Sequence, residues 1–355
     1  MAIRILVLAG DGIGPEIAAA TLAVLRAADA KFGLALAFDN AAIGWASHKA
    51  VGTTFPDAVE QKAKAADGVL LGPVSHNDYP PREQGGLNPS GELRKRLDLY
   101  ANIRPARSRG GFPPRCGSPV DLVIVRENTE GFYADRSMHL GPGELMPTPD
   151  LALAIRKITR QGSTRIAESA FKLALQRRKK VTCVHKANVL RVSDGLYLEC
   201  TRAVAARYPD VQYEERIIDA MAALLIRDAS QFDVVVTTNM YGDILSDEAS
   251  EIAGSLGLAA SLNAGASHAV AQAQHGSAPD IAGKNIANPA SLIGSAAMLL
   301  AWLGERRQDD KLMRAAAAIE AALDRVIASA DGRTPDIGGK LGTDAFGARV
   351  AQAMQ

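Results

Sequence analysis

The apolar run Ile3, Ile5, Leu6, Val7, Leu8 and Ala9 is closed by Gly10, and residues 15–30 then carry alanine, leucine and valine at helical spacing. An apolar stretch of that length stopped by glycine predicts a buried strand, and the repeat after it predicts a helix, so the chain opens as strand, tight turn, helix. Further β-branched or leucine-rich runs predict strands at 68–71, 120–125, 180–184 and 232–237, several of them preceded by charged helical patterns. Helices are predicted at 151–158, 163–176, 195–208, 243–256 and 288–303, none with the sustained heptads of a coiled coil. This alternation predicts α/β layering with mainly parallel strands. The Gly/Pro-rich stretches 72–91 and 108–119 predict loops, and 137–149 is a loop-like excursion by its length and composition.

With 355 residues, 47% of them apolar, the chain can bury a large core as two ordinary domains or one large α/β unit, which excludes a disordered or fibrous protein. Lys plus Arg (40) balances Asp plus Glu (39), so no charge excess points to nucleic acid or an acidic membrane, and a small ligand is the expected partner. Cys116, Cys183 and Cys200 lack CxxC spacing and are expected to be buried, reduced thiols. The N-terminal apolar run is too short for a signal segment, and the stretch 293–303 falls short of the ~20 residues of a membrane span. A soluble, cytoplasmic protein is expected.

Gly10-Asp11-Gly12-Ile13-Gly14 lies between strand and helix, with Asp39 downstream, as in a dinucleotide-binding fingerprint. The third glycine of GxGxxG would fall at Pro15, so the close strand-to-helix packing it permits is lost. A tight turn with Pro15 opening the helix is the preferred explanation, and nucleotide binding has to be sought elsewhere.

The strongest chemical signal is Tyr241-Gly242-Asp243-Ile244-Leu245-Ser246-Asp247, just past the strand at 232–237. Asp243 and Asp247 stand one helical turn apart and can share a cation, and an oxygen-only pair suits Mg²⁺ or Mn²⁺ rather than zinc. The commoner alternative is that two acids in a first helical turn complement the dipole. Asp219, ending the apolar run Ile217-Ile218, is a third candidate ligand. Arg94 and Arg104 flank residues 97–103, and Arg126 follows the strand at 122–125. A single arginine there is usually a surface residue, whereas several at element ends beside a metal motif suit bidentate clamping of carboxylates. Lys186, emerging from the strand at 181–184, is placed for general-base duty, and Tyr133 is a plausible proton donor.

Taken together, residues 10–16, 97–105, 125–133, 185–190, 242–247 and 275–289 resemble, in order, the motifs of the decarboxylating β-hydroxyacid dehydrogenases, the isocitrate/isopropylmalate dehydrogenase family with its homoisocitrate, tartrate and D-malate members. The resemblance implies an α/β fold of two domains, isopropylmalate dehydrogenase-like, with mixed sheets flanked by helices and no Rossmann domain. It further implies a large cofactor-binding domain from 1–101 plus 254–355, and a substrate and dimerisation domain from 102–253. It implies a homodimer with shared active sites, to which one subunit brings Tyr133, Arg94, Arg104, Arg126, Asp243 and Asp247, and the other Lys186 and Asp219. Lys186 would take the hydroxyl proton, Tyr133 would protonate C3 after CO₂ leaves, and the three aspartates would hold Mg²⁺ or Mn²⁺. The cofactor loop corresponds to His275-Gly276-Ser277-Ala278-Pro279-Asp280-Ile281, with Asn288 beyond it and Asn188 also at the cofactor. Asp280 can accept hydrogen bonds from ribose hydroxyls and would repel a 2′-phosphate, so NAD is expected. Family members usually have glutamate and proline ahead of this loop, where this chain has Gln272 and Ala273.

The segment that meets the distinguishing substituent of the substrate corresponds to Asn88-Pro89-Ser90-Gly91-Glu92-Leu93-Arg94. Isopropylmalate enzymes place leucines where Ser90 and Gly91 stand, so a polar or small substituent is expected, with Asn88 and Ser90 available to a carboxylate. Isocitrate, homoisocitrate, tartrate and D-malate stay open as substrates, all of them hydroxy di- or tricarboxylates. 3-Isopropylmalate dehydrogenase and a non-catalytic regulatory subunit of an isocitrate dehydrogenase are the alternatives.

Overall fold

A computed structural model describes residues 2–133, 138–139, 141 and 143–354. The chain divides into two compact units, Met1–Leu97 with Arg109–Pro113 and Ser255–Gln355, and Asp98–Ser108 with Pro114–Gly254. The first unit opens with β1 (Ile3–Leu8), α1 (Gly14–Phe32), β2 (Leu36–Asn40), α2 (Gly44–Val51), α3 (Asp57–Ala65), β3 (Gly68–Leu71) and α4 (Pro89–Arg96). The second unit follows with β4 (Ala101–Arg107), β5 (Asp121–Glu127), β6 (Glu144–Thr148), β7 (Leu151–Ala154), α5 (Arg160–Leu175), β8 (Lys180–His185), α6 (Ser193–Ala205), β9 (Gln212–Ile217), α7 (Ile218–Asp228), β10 (Val234–Thr237) and α8 (Asn239–Ala253). The chain then returns to the first unit with β11 (Leu262–Ala264), β12 (Ala269–Gln272), α9 (Ala290–Arg307), α10 (Asp310–Ala328) and α11 (Thr343–Ala353).

The strands of the first unit run β2-β1-β3-β12-β11, parallel except for the antiparallel β11/β12 pair. Those of the second run β4-β5-β10-β8-β9, parallel except for β4/β5. The sheets are thus mixed, as expected. Burial of both faces explains the unbroken apolar runs. Val123 and Val125 of β5 pack with Phe171 of α5, whereas their neighbours Leu122 and Ile124 pack with Leu225 of α7 and Leu245 of α8. In the first unit, Ile5 and Val7 of β1 join Ile17, Val24, Ile293, Leu323 and Phe346 from the helices.

The helix expected at 151–158 is not formed. Leu151–Ala154 is instead strand β7, paired antiparallel with β6, which itself lies in the stretch expected to be a loop. Ser137, Leu140 and Pro142 of that stretch lie outside the described residues. The Leu-Ala-Leu-Ala run satisfies either period, and the partner strand decides between them. The predicted loop 72–91 also ends early, because Pro89 opens α4 with Asn88 as its cap. Of the cysteines, Cys183 and Cys200 are buried but Cys116 is only half-buried. None of the described helices is long and apolar enough to cross a membrane.

The opening turn is built as the proline argument requires: α1 begins at Gly14 with Pro15 in its first turn. Gly12, at φ +56°, sits so close to the segment after β12 that a Cβ on it would lie 2.0 Å from the Ser277 carbonyl oxygen. Only glycine supplies both the left-handed backbone and the missing atom.

Candidate active site

In the second unit, parallel strands β5 and β10 pair Arg126 with Thr237, bringing Arg126 beside the start of α8. α8 begins at Asn239 behind the cap residue Thr238, and its first turn holds no acid. Asp243 and Asp247 therefore fall beyond that turn, which removes the capping explanation for them. Gly242 lets the helix approach the strand, since a Cβ there would lie 2.6 Å from the Arg126 side chain.

Arg126 is almost fully buried, and its Nε and Nη2 donate to Asn239 Oδ1 at 3.0 and 2.7 Å while Nη1 donates to Asp243. Arg104, from the neighbouring β4, donates through Nη1 to Ser246 Oγ at 2.7 Å, Asp243 Oδ1 at 3.1 Å and Asp247 Oδ1 at 3.5 Å. The Tyr133 hydroxyl donates to Asp243 Oδ2 at 3.1 Å, and its ring lies 5.6 Å from the Arg126 guanidinium. Asp243 is thus the meeting point of two cations and a phenol. Asn239 and Ser246, not singled out from sequence, complete the frame. Ser246 lies inside the acidic motif, three residues after Asp243, and Asn239 had no signal, since it precedes the helix expected at 243–256.

Lys186, immediately past β8, pairs with Asp219 in the first turn of α7. The lysine ammonium holds the Asp219 carboxyl below the usual carboxylate range. Asp219 is exposed and is thus held ready as an anion. Among the described residues, no three acidic, histidine or cysteine side chains gather around one point within the chain. Asn188 is exposed in the turn after Lys186.

In the first unit, Ser90 and Arg94 lie on one side of α4 and are buried. Ser90 Oγ donates to Gln272 Oε1 at 2.9 Å, Arg94 Nη2 reaches the same oxygen at 3.5 Å, and Asn263 Nδ2 donates to it at 3.2 Å. Gln272 ends β12, which explains how residues so distant in sequence converge. Asn88 is spent locally, its Oδ1 accepting from Gly91 N–H as the cap of α4.

The segment after β12 carries His275, Gly276, Ser277, Ala278, Asp280 and Ile281. Ser277 Oγ bonds Ser75 Oγ at 2.7 Å, and its carbonyl accepts from Ile13 N–H at 2.9 Å. Ser75 N–H in turn donates to Asp11, a buried carboxylate that also receives Trp45 N–H and the Tyr79 hydroxyl. The opening turn dismissed as a nucleotide fingerprint is therefore a brace for this loop. His275 Nε2 is buried without a hydrogen-bond partner in the described protein, and burial lowers the pKa of the ring. Asp280 is exposed in the short turn Pro279–Ile281, and Asn288 bridges Asp336 and Ala290 N–H.

A carboxylate pair framed by buried arginines and a phenol, and separately a lysine paired with an aspartate at a strand end, are the equipment for binding and ionising a hydroxy acid. A model of the family described as isocitrate/isopropylmalate dehydrogenase matches residues 4–350. The isocitrate/homoisocitrate dehydrogenase of Thermus thermophilus is 43% identical, covering 100% of this chain and 99% of that protein. The 3-isopropylmalate dehydrogenase of Sulfurisphaera tokodaii is 40% identical, with 97% of each chain covered. Among solved structures, the isocitrate dehydrogenase of Methylococcus capsulatus is similar with a TM-score of 0.86 and 40% identity, covering 99% of both chains. The chain belongs to the isocitrate/isopropylmalate dehydrogenase family, oxidoreductases that oxidise and decarboxylate hydroxy acids. Dependence on a divalent metal and a nicotinamide cofactor is typical of that family.

Proposed function

We propose that the protein uses NAD and Mg²⁺ or Mn²⁺ to oxidise and decarboxylate a malate-type 3-carboxy-2-hydroxy acid whose substituent is polar or small. The observation that carries this is the α8 cluster, in which Arg104, Arg126 and Tyr133 all converge on Asp243. The residues present fit both absent groups. Asp243 and Asp247 offer only oxygen donors, which suits a hard divalent cation. The buried, unpartnered His275 Nε2 leaves a polar atom for a bound cofactor to satisfy. Asp280 favours NAD over its 2′-phosphorylated form by charge. Gly276, Ser277, Ala278, Ile281, Asn288 and Asn188 are the remaining cofactor residues.

When bound, the cation supplies Lewis-acid stabilisation of the developing enolate and NAD supplies the hydride acceptor. Lys186 accepts the C2 hydroxyl proton. Tyr133 O–H returns a proton to C3 after the carboxylate leaves as CO₂. Arg94, Arg104 and Arg126 neutralise the substrate carboxylates and hold them in position. The polar surroundings of Ser90, shared with Arg94, Asn263 and Gln272, support isocitrate, homoisocitrate, tartrate or D-malate over an alkyl-substituted malate. Identity to a 3-isopropylmalate dehydrogenase keeps that substrate as the second reading.

Two features support a homodimer with shared sites. Asp219 is engaged by Lys186 of its own chain rather than gathered with Asp243 and Asp247, so a third aspartate ligand is available from a second copy. The β6/β7 hairpin exposes Leu145, Met146, Leu151 and Leu153, an apolar surface suited to burial in an interface. In this arrangement residues 1–101 with 254–355 bind the cofactor, and 102–253 bind substrate and dimerise.

A panel of isocitrate, homoisocitrate, isopropylmalate, tartrate and D-malate with NAD or NADP and Mn²⁺ tests the proposal, reading reduced cofactor and CO₂ separately. Reduction without CO₂ contradicts decarboxylation. Preference for isopropylmalate overturns the role given to Ser90, and an inactive purified homodimer favours a regulatory subunit.

A further inference from the structure

Lys186 is the first residue beyond β8, and the direction in which its side chain leaves the strand is set by how its peptide is held. Its carbonyl accepts from Val189 and Leu190 N–H at 3.0 and 2.9 Å, closing the turn that follows. Its N–H donates to Asp194 Oδ2 at 2.5 Å. A carboxylate acceptor makes this a charge-assisted bond, stronger than one to a neutral carbonyl. Asp194 lies in the first turn of α6 and is 0% exposed, and its other oxygen is paired with Arg156, whose side chain is only 7% exposed.

Arg156 is held from several directions. It donates to Ser193 Oγ at 2.9 Å and Thr238 Oγ1 at 3.0 Å, and it packs 5.8 and 5.4 Å from the Phe132 and Tyr241 rings. The pair therefore cannot drift, and Asp194 transmits that rigidity to the Lys186 peptide. As a source of stability alone the pair is a poor device, because two buried charges are often replaced by apolar side chains without loss. What an apolar pair cannot do is accept the Lys186 N–H.

We propose that Asp194, anchored by Arg156, is a positioning residue that fixes the Lys186 peptide and so aims its side-chain amine at the reacting hydroxyl. This rests on Lys186 being the base, the role given to it above. A displacement of about 1 Å at a reacting group costs on the order of 100-fold in rate, which sets the expected size of the effect.

The test uses the full-length protein with Mn²⁺, NAD and its best hydroxy acid, and compares Arg156→Met/Asp194→Leu with Arg156→Met/Asp194→Asn. Both remove the buried charges, and they differ in whether residue 194 can accept the Lys186 N–H. The leucine variant should lose about 100-fold in kcat with KM for the hydroxy acid within about 3-fold of the parent, whereas the asparagine variant should recover to within about 10-fold of the parent kcat. Equal losses in both variants, or full kcat in the leucine variant, overturn the inference. Amide hydrogen exchange of Lys186 in the unaltered protein gives a readout independent of variant folding: slow exchange is expected, and exchange at the solvent rate overturns it. Lys186→Met separates the two levels. Retained turnover there refutes the base assignment, whereas its loss combined with full activity in Arg156→Met/Asp194→Leu refutes the positioning role alone.

Discussion

Gly12→Ala should damage cofactor binding from a position in the opening turn. The added Cβ would lie 2.0 Å from the Ser277 carbonyl oxygen and 2.8 Å from its carbon. Carbon and oxygen approach no closer than about 3.3 Å even in favourable contacts, so the loop must retreat by more than about 1 Å. That movement breaks the 2.9 Å bond from Ile13 N–H to Ser277 and pulls on the Ser277–Ser75 pair. One lost backbone bond costs about 1 kcal/mol, and alanine at φ +56° adds about 1–2 kcal/mol for its left-handed backbone. Gly33→Ala provides the control: its φ is +64°, and a Cβ there meets nothing within 4 Å, so it carries the backbone cost without the collision. Calorimetric titration with NAD should show binding weakened about 10-fold or more in Gly12→Ala, equivalent to about 1.4 kcal/mol or more, and little changed in Gly33→Ala. KM for the hydroxy acid should hold within about 3-fold, because Arg104 and Arg126 belong to the second unit. Equal NAD affinity in both variants would refute both the brace and the placement of the cofactor on the His275 loop.

Arg126→Met should lower stability by about 2–4 kcal/mol by urea unfolding, since it strips two donors from buried Asn239 and a cation from Asp243, and a wild-type midpoint would contradict that. His185 is buried, which lowers its pKa, and its Nδ1 accepts Ala187 N–H, a bond available only to the neutral ring. Its folded pKa lies below its unfolded value, so its contribution is complete above about pH 6.5 and is lost as pH falls through the folded value; denaturant midpoints from pH 7.5 to 5 should show this decline, partly flattened in His185→Gln. His275, lowered by burial in the same direction, accounts for part of the remaining slope. Met146→Glu/Leu153→Glu should leave thermal stability of the subunit within a few degrees but yield an inactive monomer in sedimentation velocity, because both side chains are exposed in the single chain; a dimer that persists removes the hairpin from the interface.

Much of this architecture is legible in local patterns. The strands β1, β3, β5, β8 and β10 announce themselves as apolar runs because both of their faces are buried, and Pro15 falls in the first turn of α1 as its place after the glycines predicts. The helical spacing of Asp243 and Asp247 likewise puts two carboxylates on one face before any fold is known. Other decisions depend on pairing or on exact starting points. Residues 151–154 form a strand because β6 offers a ladder that outweighs a run equally compatible with a helix. Asp243 and Asp247 cease to be capping residues only because α8 starts at Asn239. The convergence of Ser90 and Arg94 on Gln272, the carboxylate of Asp194 beneath the Lys186 peptide, and the contact of Gly12 with Ser277 join segments whose composition gives no hint of one another. Hydrophobic period is a property of neighbouring residues and survives in the sequence, whereas these contacts are decided by which strand ends and helix starts the buried core brings side by side.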